Sequence, residues 1–325
     1  MKSKKIKTRK KLQINLYVII FGLILLGYAF VMLFPIAWGI MNSFKHILEF
    51  SVNPEGFPDF SLYKEFPLNE DYDNILGNYI VMFKSMRYKR IVSYYTGVFS
   101  QRLETHTVAY EGNGTLLIFF ANSLIIGFAY SVIPAIVSCL AAYVCSQYKF
   151  KFSVIVYTAV LFVMATPIVG NTAASVNLMR RLNLYDSIFG LFIKCAGFYS
   201  MYFLVFYAYF EGMGQTYYEA AEIDGASQIR IMFSIAVPLS KTTIFSVIMV
   251  LFMASWNDYN TSLLMMPSYP TIAYGVFDNI VQNTQFNYVP YQLAALMLLA
   301  LPSLTVFIVL KSKLMGNLSI GGVKE

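Results

Sequence analysis

The chain has 325 residues, of which 58% are hydrophobic and only 13% charged. Soluble domains usually carry about a quarter charged residues, so a water-soluble fold with a single ordinary core is excluded. The net charge of +7 could suggest nucleic acid, but its largest cluster, from Lys2 to Lys11, directly precedes an apolar run and reads instead as an orientation signal at a membrane, with no nucleic-acid partner.

The apolar residues fall into blocks near the twenty-residue length that crosses a hydrocarbon core of about 30 Å. A β-barrel would show alternating segments of roughly ten residues, and no such alternation is present. The expectation is an all-α membrane protein with six transmembrane helices.

The first 15 residues are a basic cytoplasmic terminus, and residues 16–44 form the first span, too long and without a small-residue cleavage site to be a removed signal peptide. Residues 45–115 then form an outer loop, in which Lys45 to Gly114 holds nine acidic and seven basic residues with Pro54, Pro58 and Pro67. A long loop translocates largely regardless of such charges. Within it, Tyr88–Tyr95 and Arg102–His106 mix β-prone aromatics with charge and suggest a small outer hairpin, either an added contact for a partner or a tolerated insertion.

Residues 116–310 form the core of the permeation body, with span two over about Leu116–Cys145, span three over Phe152–Ala174 with Pro167 and Gly170, and span four over Ser187–Phe210. Lys194 within span four faces a cavity, a partner or, by snorkelling, the interface. A polar stretch, residues 211–241, lies in the cytoplasm. Span five, Thr243–Met266, contains the polar run Asn257 to Ser262, and span six, Tyr291–Leu310, leads to a cytoplasmic tail, residues 311–325, with Lys311, Lys313 and Lys324. Both termini are therefore cytoplasmic, as an even number of spans requires.

The three cysteines, Cys139, Cys145 and Cys195, sit in apolar segments without ligand spacing and read as small buried hydrophobes. His46 and His106 are distant in sequence and read as surface residues, so no metal site is expected. No phosphate-binding G-x-x-x-x-G-K-[ST] loop occurs, and the chain is not expected to be an enzyme.

The cytoplasmic stretch carries the most informative pattern. Ala220 and Ala221 favour helix, Gly225 can close it in a left-handed conformation, Ser227 can cap a second helix, and Pro238 interrupts that helix before span five. Glu219-Ala220-Ala221, three residues, Gly225, nine residues, then Ile235-x-Val237-Pro238 resembles the EAA loop of ATP-binding-cassette importer permeases, with Val237 in place of the family's leucine. The segment Ile223-Asp224-Gly225-Ala226, Asn122-Ser123-Leu124, Ser255 to Asp258 and the tail Gly321-Gly322-Val323-Lys324 resemble carbohydrate permeases of the maltose-transporter type, on the side of their G subunit. The sequence departs from that pattern between Asn78-Tyr79 and Asn122, where about forty residues replace a short connection.

This resemblance implies the type I importer permease fold in a bacterial plasma membrane, with Glu219, Ala220, Ala221, Asp224, Gly225, Ile235 and Pro238 forming a coupling element that docks into an ATPase subunit. It implies an ATPase pair holding ATP and magnesium, a second homologous permease, and an extracellular sugar-binding lipoprotein or periplasmic binding protein as partners. No cofactor is expected in this chain itself. Trp256, Asn257, Asp258, Tyr259 and Asn122 are candidates for the translocation pathway, because sugar hydroxyls need hydrogen-bond partners and aromatic faces cover sugar rings; interhelical hydrogen bonds are the alternative. Asn122 and Ser123 suit helix packing better. The rival functional class is a gradient-driven secondary transporter or channel; such proteins usually carry several intramembrane acids, and only Asp258 lies clearly at depth here.

Overall fold

The computed structural model describes residues 16–59, 76–85, 88–94, 104–110, 115–148, 150–166, 170–214, 216–281 and 288–315. The N-terminal basic cluster, Pro67, Lys149, Pro167 and the Gly321–Lys324 tail lie outside them.

The first helix, α1, spans Leu16–Ser43 and is apolar all round, with Pro35 inside it. Residues Tyr17 to Phe34 are largely exposed in the isolated chain, which suits a helix whose surroundings are lipid or another subunit. Two short helices follow, α2 (Ile47–Val52) and α3 (Gly77–Ser85). Two antiparallel strands, β1 (Tyr88–Tyr94) and β2 (Glu104–Tyr110), then pair from Tyr88 opposite Tyr110 to Tyr94 opposite Glu104. The insertion between Tyr79 and Asn122 thus contains the hairpin that its β-prone composition suggested.

The chain divides into two compact units, residues 1–81 with 288–297, and residues 82–287 with 298–325. The first is organised by buried polar groups at the end of α1. Asn78 Nδ2 donates to the carbonyls of Ser43 and Lys45 at 2.9 Å each, Ser43 Oγ lies 2.7 Å from the Tyr79 hydroxyl, and Lys45 Nζ donates to Asn53 O at 2.7 Å. Burial holds the Lys45 ammonium below the usual lysine range, with the Glu49 carboxylate opposing that shift. His46, expected at the surface, is buried, and its Nδ1 caps α2 by accepting from Leu48 N. Asn78→Ala removes two donors to buried carbonyls and is expected to destabilise this unit by about 1–3 kcal/mol, read as a lower unfolding midpoint of the purified protein.

The second unit is built around α4 (Thr115–Gln147), a 33-residue helix long enough to tilt or project from a bilayer. It packs against α5 (Lys151–Ala165), α7 (Ile188–Cys195), α8 (Met201–Glu211), α11 (Lys241–Trp256) and α13 (Ile272–Val281). Small residues allow close approach: Ala135, Cys139 and Ala142 are buried on one face of α4. At Gly127 a Cβ would come within 2.9 Å of the Phe252 ring, so glycine is what admits α11 at that crossing. Cys139 and Cys195 are buried free thiols, and Cys145 is half-buried.

Helix length and apolarity qualify three helices as membrane-crossing among the described residues, or four if the pair Gln228–Leu239 and Lys241–Trp256, bent by 66°, counts as one span. The apolar blocks read as continuous spans three to five are divided. Span three becomes α5 and a separate helix, α6 (Asn171–Arg181), with exposed and half-buried residues only. Span four is broken into α7 and α8 by Ala196–Ser200, and span five ends as a helix at Trp256 before a short α12 (Asn260–Leu264). The last long helix, α14 (Val289–Met315), contains Pro302.

Candidate functional site

The stretch between spans four and five folds as two helices joined by a tight turn, α9 (Thr216–Ile223) and α10 (Gln228–Leu239). Gly225 has φ of +76°, Gly225 N donates to Glu222 O and Ala226 N donates to Ala221 O, both at 3.0 Å. Those two bonds form the Schellman closure that a left-handed glycine permits. Ser227 then caps α10, its hydroxyl accepting from Arg230 N.

Within α10 the turn Met232–Ala236 is a π-helix. It ends two residues before Pro238, whose ring would clash with the carbonyl four residues back in a regular helix. Tyr209 donates its hydroxyl to Leu239 O at 2.8 Å, satisfying a carbonyl at the 66° bend into α11.

The hairpin has a rooted side and a bare side. Tyr218, Ala221, Ile231 and Ala236 are buried in the same core as Tyr143 of α4, Phe206 and Phe210 of α8 and Val247 of α11. The Tyr143 ring lies edge-on to Phe210 at 5.3 Å and 6.3 Å from the Tyr218 ring. Burial, with the nearby Tyr209 phenol adding to it, pushes the Tyr218 phenol up to about 12, and its hydroxyl donates to Met213 Sδ. A polar chain adds a second root: Tyr148 Oη donates to Gln228 Oε1, and Gln228 Nε2 donates to Glu222 Oε1.

Glu219, Ala220, Asp224, Gly225 and Pro238 are exposed, Ile235 is half-buried, and Ala221 is buried. The bare side also presents Ile223 at 86% exposure and Ile229 at 70%, flanking the Gly225 turn. Sequence reasoning did not single these two out.

The residues proposed for a pathway separate by environment. Trp256 is buried, its indole N–H donating to Leu299 O at 3.0 Å and its ring packing against Phe120 and Phe252. Asn122 is buried and donates to Pro270 O, while its neighbour Ser123 accepts from Ile272 N. Both therefore pin the segment around 270 onto α4. Tyr259 stacks on Phe277 at 4.2 Å. Asn257 and Asn260 are exposed where span five breaks. Asp258 lies in that break, where its carboxylate accepts from Asn260 N two residues on and from the Thr261 hydroxyl, an Asx-type turn leading into α12.

Lys194 has partners within the chain. Its ammonium donates to Tyr130 Oη at 2.9 Å and to Met265 Sδ at 2.7 Å, and lies 5.4 Å from the Tyr130 ring centre. Among the described residues, no group of three His, Cys, Asp or Glu side chains is placed to hold a metal.

The comparisons with known proteins agree with this architecture. Residues 134–313 match the family described as binding-protein-dependent transport system inner membrane component. The chain is 29% identical to the sn-glycerol-3-phosphate transport system permease protein UgpE of Pectobacterium atrosepticum, over 58% of this chain and 68% of that one. It is 27% identical to the inner membrane ABC transporter permease protein YcjP of Escherichia coli, over 63% and 74%. It is 23% identical to the arabinooligosaccharides transport system permease protein AraQ of Bacillus subtilis, over 68% and 78%. In structure it is similar, with a TM-score of 0.64 and 17% identity, to a chain of a bacterial ABC transporter involved in the import of the acidic polysaccharide alginate, covering 96% of this chain and 100% of that one. The match runs from the middle of α4 through the hairpin into α14, and the chain belongs to the family of binding-protein-dependent transport system inner membrane components.

Proposed function

We infer that the chain is the permease subunit of an ATP-driven sugar importer, with six spans, both termini cytoplasmic and the domain boundaries read from the sequence. The α9–α10 hairpin is the docking element for an ATPase subunit. The observation that carries this reading is a water-side hairpin tip with two isoleucines, Ile223 and Ile229, almost bare beside Glu219, while its other side is rooted in the core of α4, α8 and α11. Apolar groups left bare beside charge mark a partner surface, and a rooted hairpin can pass a partner's movement into the membrane helices.

The reading further includes a second homologous permease, an extracellular binding protein that selects the substrate, and ATP with magnesium held by the ATPase pair. Carbohydrate-type cargo is supported by relatives named for an arabinooligosaccharide and a glycerol phosphate. Asn257 and Asn260 at the span-five break are pathway groups. Trp256 and Asn122 hold the wall behind them.

Purification of this chain from its native membrane in mild detergent, through an affinity tag, tests the reading. An ATPase subunit and a second permease are expected to co-elute. Their absence across several detergents would favour a gradient-driven transporter.

A further inference from the structure

Two of the broken helices meet at one place. The break in span four, Ala196–Ser200, begins one residue after α7, whose last turn carries Lys194, and the break in span five, Asn257–Tyr259, carries Asp258. Between them stands Tyr130, near the middle of the 33-residue α4. Lys194 donates to the Tyr130 oxygen, and Thr261 Oγ1 lies 3.3 Å from the same oxygen. The Thr261 hydroxyl has a single hydrogen, and the Asp258 carboxylate, which only accepts, takes it. The Thr261 hydroxyl is directed at both the Tyr130 oxygen and the Asp258 carboxylate, with the shorter bond to the carboxylate.

This arrangement fixes Lys194 without neutralising it at contact. Its two partners, a phenol oxygen and a thioether sulfur, are both uncharged, and they engage two of the three N–H donors of an ammonium. The side chain is half-buried, so it opens to its surroundings, and a cation at membrane depth opens far more readily to a polar path than to lipid. Broken helices with polar groups at the break are where transporters build sites at this depth.

We propose that Lys194, held by Tyr130 beside the Asn257–Asn260 break, is a recognition site for a carboxylate or phosphate group on a sugar, the ammonium serving as counter-ion and the two exposed asparagines as hydroxyl partners. This rests on the reading of the chain as a sugar permease and narrows it to acidic cargo. The Asp258 carboxylate is engaged by Asn260 N and the Thr261 hydroxyl.

The test uses the intact complex purified through this chain, without its external binding protein, so that only the membrane site is read. Equilibrium binding is measured at constant ionic strength for three probes: glycerol 3-phosphate, trigalacturonate and maltotriose. The phosphate or the carboxylate probe is expected to bind, and which of the two does so names the acidic group. Lys194→Gln is expected to weaken that binding at least about tenfold and to leave maltotriose binding within about twofold, with Lys194→Arg restoring most of the acidic binding. The proposal is overturned if neither acidic probe binds, if Lys194→Gln leaves acidic binding unchanged, or if it weakens all probes alike, the last being the result for a purely structural latch. Co-elution of the ATPase subunit with the Lys194→Gln chain is scored separately, so failure here is distinct from failure of the permease reading.

Discussion

A chain carrying Ile223→Asp with Ile229→Asp is expected to reach the membrane in normal amount and to lose the ATPase subunits that co-purify with the parent protein. The two side chains are 86% and 70% exposed, so the isolated chain loses almost no packing when they change. The roots of the hairpin, Tyr218, Ala221 and Ile231, stay in their core. At an interface each isoleucine would contribute about 1.5–3 kcal/mol of apolar burial, so removing both weakens docking by about 3 kcal/mol or more, over a hundredfold. Placing carboxylates there adds the desolvation of two charges. The measurement is the amount of ATPase subunit retained on the tagged chain, with uptake scored in parallel. Stoichiometric retention in the double variant would remove the hairpin tip from the docking surface and leave Glu219 without its proposed setting.

The hairpin itself was legible in sequence because it is local. Glu219 to Pro238 are neighbours along the chain, and the conformation of Gly225 follows from the residue's lack of a Cβ. The exposure of Ile223 and Ile229 was not legible. An isoleucine beside two alanines on a short helix reads as buried face, and only the packing of α9 decides which side is rooted. Spans one, two and six were legible as single helices, spans three to five only as apolar mass. Hydropathy counts side chains, so the blocks run smoothly through Ala196–Ser200 and Asn257–Tyr259, where the helices stop. The contact of Lys194 with Tyr130 joins residues 64 apart, and that of Trp256 with Leu299 joins residues 43 apart, so neither leaves a local signature. The polar run of span five divides by its contacts: Asp258 closes a turn onto Asn260 N, Trp256 packs, and Asn257 and Asn260 remain exposed.

Gly225→Val is expected to abolish uptake, Gly225→Ala to reduce it, and Gly225→Asn to retain most of it. The reason is conformational. A Cβ at this position would meet no atom within 4 Å, so the space is open, and the obstacle is the φ of +76°. An L-residue held there costs about 1–2 kcal/mol, more for a β-branched side chain, whereas asparagine tolerates the left-handed region. A valine relieves the strain by opening the turn, which breaks the Ala226–Ala221 and Gly225–Glu222 bonds and changes the angle between α9 and α10. Glu219 and Ile223 on one helix and Ile229 on the other would then no longer face the partner together. Uptake by cells expressing each variant, normalised to the amount of protein in the membrane, reads the order Asn, Ala, Val. If asparagine fails as completely as valine, the glycine is there to let a partner atom approach the bare backbone, and the docking surface then includes the turn itself and not only the residues that flank it.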